Sequence, residues 1–344
     1  MMIVQKTRIV FALGFLLSAT SACLAQSPRT PFASTPHFAF YSNFETNLND
    51  ALINAGVARR FHKPQLFHDG DEVTCFDKLP AFERSAWERA ADYYAEVIAL
   101  TGTNSQQRYL LRAQLAGWDD AFKNEEDRQF VEIARALRVA AAPAYRACRW
   151  SVQDERNRKW VEAVKPQLAA DEKKLASRLE EVYHAKWTSL PIPVDIVQTV
   201  DFTGANTILG EPGTGHILIA NENEPADGLE VIFHEASHIL MGRDAPVRQA
   251  LEKAAVAANF KLPGELWHVV LFYTTGEAVR RLLEEEGKSG YKPMLYGIFD
   301  RSVWGEYRNA LESTWKSYVD GTRTLDEVSS ALIAALQKQP APQH

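Results

Sequence analysis

The sequence of 344 residues predicts an α+β fold that is predominantly helical, with an all-helical N-terminal half and a second half that holds a small sheet. Between residues 83 and 186 apolar residues recur at spacings of three and four, which is the helical period. At 192–200 and 216–220 the pattern changes to short β-branched runs, which are typical of strands. Helical periodicity returns after residue 228. A small sheet should therefore lie between two helical parts.

The first 25 residues differ in kind from the rest of the chain. Two basic residues precede the apolar run 9–17, and small residues follow up to Ala25, which is the pattern of a secretory signal peptide. We therefore predict an exported protein, periplasmic or secreted, that is cleaved after Ala25. Because residues 21–23 resemble the end of a lipobox, lipid anchoring at Cys23 is the alternative.

Charge and cysteine content limit the class of function. The chain has 38 basic and 44 acidic residues and a net charge of −6 at pH 7, which argues against nucleic acid as a partner. After the signal peptide no stretch is long and apolar enough to predict a transmembrane segment. Two cysteines remain there, Cys75 and Cys148. In an oxidising compartment such a pair predicts one disulfide.

The region 26–187 is predicted to be mainly helical. Apart from a strand-like alternation at 37–42, it begins with a short helix over 47–56 and a surface loop that contains Cys75. Four helices should follow, near 84–101, 106–118, 124–149 and 151–187. Aromatic residues recur through them at helical spacing, which indicates core packing rather than a binding surface.

The region 188–344 holds the predicted sheet and the metal site. Its strands at 192–200 and 216–220 are joined by a glycine-containing loop that lacks the features of a phosphate-binding loop. The second strand leads directly into a helix between a candidate N-cap, Asp227, and a candidate C-cap, Gly242. Later helices are predicted near 245–259, 263–286, 302–319 and 324–337.

The helix after Asp227 carries the motif His234-Glu235-Ala236-Ser237-His238. Two helical residues four apart point the same way, so His234 and His238 can bind one metal ion. Glu235 is displaced by about 100° around the axis, where it can act on water beside the metal. Apolar neighbours bury this helix, and a buried polar trio is costly unless it is used. We therefore predict one zinc ion per chain.

A catalytic zinc usually has three protein ligands, and the third must come from elsewhere in the chain. The helix over 263–286 offers Glu277 on one face and His268 on the opposite face. Glu277 is preferred, because Gly276 would let this helix approach the metal helix closely. His268 is the alternative, since imidazole binds zinc well. Glu265 or another carboxylate is a further candidate.

These features resemble the zincins, and specifically the gluzincin branch of the zinc metallopeptidases. The similarity rests on the HExxH sequence at 234–238, the preceding strand at 216–220 and Gly276-Glu277 on a later helix, and it covers residues 190–285. It implies that the strand borders the cleft and pairs with extended substrate, and that the glutamate completes the zinc site. Arg281 stands where the family often has an aspartate.

The resemblance implies metal-assisted hydrolysis of peptide bonds in a peptide or protein substrate. Glu235 would accept a proton from the water that zinc activates and pass it to the leaving amine. A donor to the oxyanion is also expected, with Tyr296 as the candidate beside Tyr291 and Tyr273. Two other functions stay open: a non-enzymatic exported binding protein on a zincin fold, and a zinc amidase that acts on non-protein amides.

Overall fold

The computed structural model describes residues 29–62, 70–99, 105–118, 121–200, 204–301 and 304–338. The predicted signal peptide at 1–25 and the alternative lipid anchor at Cys23 lie outside these ranges. Within them, no helix combines the length and the apolar character that crossing a membrane requires.

Most of the described chain is helical, and together with one small sheet this confirms the predicted α+β class. The strands are β1 (Ala33–Ser34), β2 (Phe38–Tyr41), β3 (Ile192–Val197), β4 (Ala205–Leu209) and β5 (Gly215–Ala220). The helices before β3 are α1 (Phe44–Arg60), α2 (Gly70–Lys78), α3 (Ala81–Tyr93), α4 (Gln106–Ala116), α5 (Glu125–Tyr145) and α6 (Ser151–Tyr183). Those after β5 are α7 (Gly228–Leu240), α8 (Pro246–Ala257), α9 (Leu266–Glu285), α10 (Met294–Asp300), α11 (Gly305–Ala310), α12 (Lys316–Val319) and α13 (Leu325–Gln337).

A single π-helical turn, Arg146–Trp150, joins α5 to α6 without a break. The helices predicted separately near 124–149 and 151–187 are therefore continuous. The predicted disulfide between Cys75 and Cys148 is present and ties α2 to this π turn. It links residues 73 positions apart, and such a cross-link reduces the conformational entropy of the unfolded chain.

The sheet is mixed, with the strand order β1-β2-β3-β5-β4. β2, β3 and β5 run parallel, whereas β1 and β4 pair antiparallel at the edges. The N-terminal half is thus not all-helical: β2 confirms the strand-like alternation at 37–42, and it pairs directly with β3. The sheet therefore joins strands from both predicted regions.

The strand that the family resemblance assigned to substrate pairing, β5, has no free edge. Its residue Ile217 is paired on one side with Val194 of β3 and on the other with Thr207 of β4. β4 is one of the two edge strands of the described sheet, and it lies within the segment predicted as a loop. β5 therefore cannot pair with an extended substrate as the resemblance implied.

The two faces of the sheet differ because strand side chains alternate. On β5, Ile217 and Ile219 join the main hydrophobic core together with α6, α7 and α9. The intervening side chains face α1: His216 lies 2.9 Å from the carboxylate of Asp195 on β3, which accepts a hydrogen bond from Thr46 of α1. The metal-motif helix α7 thus packs against one face, and α1 covers the other.

Candidate metal centre

The motif helix α7 is fixed in the interior by its apolar residues and by its neighbour α9. Ile232, Phe233 and Ala236 are fully buried in the main core. Between the two helices, the hydroxyl of Thr275 donates to Ser237 at 3.1 Å. Because both hydroxyls are buried, this hydrogen bond defines how α9 is rotated against α7.

His234 and His238 of α7 meet His268 of α9. The ring centroids are 5.2 Å apart for His234 and His238, 5.4 Å for His234 and His268, and 5.1 Å for His238 and His268. Each ring offers a nitrogen within 4.8 Å of the other two. The Nε2 atoms of His234 and His268 are 3.4 Å apart. Two nitrogens bound tetrahedrally to zinc at about 2.0–2.1 Å are about 3.3 Å apart, so this group has the dimensions of a metal site.

All three imidazoles are kept neutral by their surroundings. Burial, followed by the nearby His238 and His268, lowers the pKa of His234 well below its ordinary range. Burial is also the largest cause for the other two, lowering the pKa of His238 to about 3 and that of His268 to about 4. Neutral imidazole is the form that binds metal. Within the described part of the chain, the buried Nδ1 atom of His234 has no hydrogen-bond partner.

Glu235 lies beside the histidines, as the motif predicts. Its Oε1 atom is 4.0 Å from Nε2 of His234, and the hydroxyl of Thr207 on β4 donates to its Oε2 atom at 2.7 Å. Burial raises the pKa of Glu235 to about 7, although the Thr207 hydrogen bond and the charge of Arg112 act in the opposite direction. A carboxyl group that titrates near neutrality can both accept and return a proton.

Aromatic rings form the wall of the site. Phe272 packs on His234 with ring centroids 3.9 Å apart, and Trp304 lies edge-on to His268 at 5.4 Å. Such walls exclude water and strengthen electrostatic interactions inside the site. His238 and His268 remain partly exposed, so a ligand can reach the group from solvent.

The preferred third ligand of the sequence prediction, Glu277, lies apart from the histidine group. Its carboxylate accepts hydrogen bonds from Arg280 at 2.8 and 2.9 Å and from Tyr296 at 3.4 Å. Among the described residues, the side chains that can share a metal ion include the alternative ligand His268 and do not include Glu277. The further candidate, Glu265, accepts a hydrogen bond from Tyr307 at 2.7 Å.

The tyrosines considered as oxyanion donors surround two buried carboxyl groups. Tyr291 donates to Glu230 at 2.6 Å, and Tyr296 donates to Glu277. Tyr273 interacts electrostatically with both Tyr296 and Glu277. Tyr291 and Tyr296 line a charged cavity of ≈ 600 Å³ whose wall contains none of the three histidines. The structure therefore groups Tyr296 with Glu277 rather than with the three histidines.

One contact of the site was missed by sequence reasoning. Thr207, which holds Glu235, lies in a segment predicted as a loop. The available signal was the short run Ala205–Leu209 between Gly204 and Gly210, which is long enough for an edge strand.

The site combines three neutral imidazoles with a carboxyl group that titrates near neutrality, in a partly open aromatic setting. No family model, no curated protein and no solved structure matches this chain. The function is therefore inferred from the site alone.

Proposed function

We propose that this protein is a zinc-dependent hydrolase of peptide bonds in which His234, His238 and His268 bind the metal and Glu235 is the general base. The main support is the arrangement of three neutral rings around one position, with the carboxyl of Glu235 4.0 Å from a ligand nitrogen. Three protein ligands leave one tetrahedral position open, which is typical of catalytic zinc. A purely structural zinc site fills all four positions and has no use for this carboxyl group.

The donor set suits zinc, which accepts imidazole nitrogen in tetrahedral geometry. When bound, zinc would polarise the scissile carbonyl and make a water molecule more acidic. Glu235 takes the proton from that water and returns it to the leaving amine. Thr207 orients this carboxyl group by holding Oε2, which leaves Oε1 on the side of His234. Phe272 and Trp304 keep bulk water away from the proton transfer.

The position of the edge strand β4 favours a peptide substrate over a small molecule. Thr207 belongs to this strand and contacts Glu235, so the backbone groups of β4 lie next to the proposed base. An extended peptide that adds to a sheet edge is held by main-chain hydrogen bonds. This arrangement would place a scissile bond near the metal ligands without a deep pocket for a small molecule.

Cleavage of casein or of a peptide library by the zinc-loaded mature protein, with and without a chelator, tests the proposal. Glu235→Gln should lower kcat/KM by roughly 10²- to 10⁴-fold while the metal content stays unchanged, because it removes a base and not a ligand. Glu230→Gln is the matched control on the same helix, since Glu230 contacts Tyr291 and Met294. Folded, zinc-loaded protein that cleaves nothing would contradict the proposal, as would full activity in Glu235→Gln.

A further inference from the structure

The indole ring of Trp267 lies at the open side of the histidine group. His234 is only 5% exposed, whereas His238 and His268 are half-buried, so a ligand reaches the group from the side of these two rings. Trp267 is half-buried as well, and its ring centroid is 5.7 Å from that of His238 and 5.3 Å from that of His268. Trp267 therefore belongs to the rim of this opening.

A guanidinium group lies over the Trp267 ring. The Cζ atom of Arg248, on α8, is 4.3 Å from the ring centroid, which is a cation–π contact. Because Trp267 also contacts His238, this Cζ atom is at most about 10 Å from the centre of the His238 ring. The charge of Arg248 contributes to lowering the pKa of His238, after burial and the nearby His268. Arg248 thus places a positive charge beside the opening of the metal site.

Arg248 has donors to spare for a ligand. Among the described residues, no carboxylate oxygen lies within 4.0 Å of its guanidinium nitrogens. Its one hydrogen bond there is donated by Nη1 to the carbonyl oxygen of Met241, at the long distance of 3.5 Å. The charges that act on it are Glu252, one turn later on α8, and Arg243, with opposite effects on its pKa. A half-buried guanidinium without an ion pair is therefore directed to the rim.

A cation in this position is unfavourable beside the proposed metal ion until an anion binds. Three neutral imidazoles add no negative charge to zinc, and Glu235 carries at most one, so the metal centre and Arg248 repel each other. A guanidinium held flat against an indole keeps its N–H groups at its edge, where they match a carboxylate with two parallel hydrogen bonds. A bound carboxylate would satisfy these donors and reduce the repulsion.

We propose that Arg248, held in place by Trp267, binds a carboxylate of the substrate at the mouth of the metal site. The enzyme then prefers peptides that carry an acidic side chain or a free C-terminal carboxylate close to the scissile bond. A peptide spans at most about 3.3–3.6 Å per residue, so this carboxylate belongs to a residue a few positions from that bond. This proposal rests on the proposed hydrolase function.

Matched substrates test the preference in the wild-type protein. One series of peptide pairs differs by Glu or Gln at successive positions on either side of the scissile bond, and a further pair ends in a free or an amidated C-terminus. We expect kcat/KM to be about tenfold higher for the charged member of one pair, given the strength of charge-assisted hydrogen bonds. The pair that responds identifies the source of the carboxylate. Equal kcat/KM within every pair would overturn the proposal.

Variants of Arg248 assign the preference to its guanidinium group. Arg248→Gln should slow the charged peptides alone and so remove the discrimination, whereas Arg248→Lys should retain part of it, because it keeps the charge but not the planar donor set. Arg243→Gln is the matched control: it removes an exposed arginine from the loop before α8 and should leave the discrimination in place. Discrimination that persists in Arg248→Gln would place the carboxylate elsewhere, such as on the metal. Equal slowing of charged and neutral peptides would leave Arg248 a structural role only, and either result overturns the proposal.

A binding measurement separates this proposal from the hydrolase function. Calorimetric titration of the zinc-loaded Glu235→Gln protein with the same peptides should give a Kd about tenfold lower for the charged member. The double variant with Arg248→Gln should bind both members equally. If the wild-type protein cleaves none of the peptides, the hydrolase function fails and this titration alone decides whether Arg248 holds a carboxylate. Equal Kd values for charged and neutral peptides in Glu235→Gln would then overturn the carboxylate site.

Discussion

The Nε2 atoms of His234 and His268 are 3.4 Å apart, although the residues belong to different helices. The hydrogen bond between Ser237 and Thr275 joins the same two helices in the buried interface between them. Packing of α9 on α7, rather than the HExxH motif alone, therefore brings a third imidazole to the pair.

Replacing Thr207 by Val should change the pH dependence of hydrolysis. The substitution keeps the size of the side chain but removes the hydroxyl that donates to Glu235 and lowers its pKa. Without that hydrogen bond the pKa of Glu235 rises, so the deprotonated base appears only at higher pH. The acidic limb of the kcat/KM profile should move to higher pH, while the alkaline plateau changes little. Thr207→Ser should restore the wild-type profile, and an unmoved acidic limb in Thr207→Val would show that the hydrogen bond does not tune the base.

Metal binding should persist at mildly acidic pH. Burial lowers the pKa of His238 to about 3 and that of His268 to about 4, so protons do not compete for these nitrogens near pH 5.5. Three histidines with an ordinary pKa of about 6.5 would lose roughly a thousandfold in zinc affinity at a pH one unit below that value. We expect a much smaller loss between pH 7.5 and pH 5.5, measured by competition with a chelator of known pH dependence. A loss of the full size would mean that the rings are solvated.

The buried Glu230 should make stability fall as pH rises. Burial raises its pKa from the ordinary 4.5 to about 8, so the folded chain holds a proton that the unfolded chain has lost between these values. The free energy of unfolding contributed by this group is therefore fully present below pH 4.5 and is lost progressively toward pH 8, by up to about 1.4 kcal/mol per pH unit. Glu230→Gln should flatten this dependence, measured by urea unfolding at pH 5 and pH 8. Parallel pH curves for the two proteins would contradict the burial argument.

Local patterns were sufficient to predict the pair His234 and His238, the neighbouring carboxyl group of Glu235 and a predominantly helical fold. Residues four apart on a helix share a face whatever the rest of the fold does, so His234 and His238 follow from the motif. The disulfide followed from there being only two cysteines after the predicted signal peptide. The strand β5 and the direct entry of the chain into α7 were likewise visible in the change of period.

The third imidazole depends on long-range packing and could not be chosen from the sequence. Gly276 does allow close approach to α7, since a Cβ there would lie 3.0 Å from Oε1 of Glu230. At this close approach α7 presents Glu230 to α9. The carboxylate of Glu277 instead accepts a hydrogen bond from Arg280.

Metal content by mass spectrometry of the mature protein and three variants tests the central claim most directly. The account predicts one zinc per chain in the wild type and in Glu277→Ala, and loss of zinc in His234→Ala and His268→Ala. Circular dichroism of each variant confirms that the helices are intact. Zinc that is retained in His268→Ala and lost in Glu277→Ala would contradict the three-histidine site, and folded wild-type protein without any bound metal would contradict the hydrolase itself.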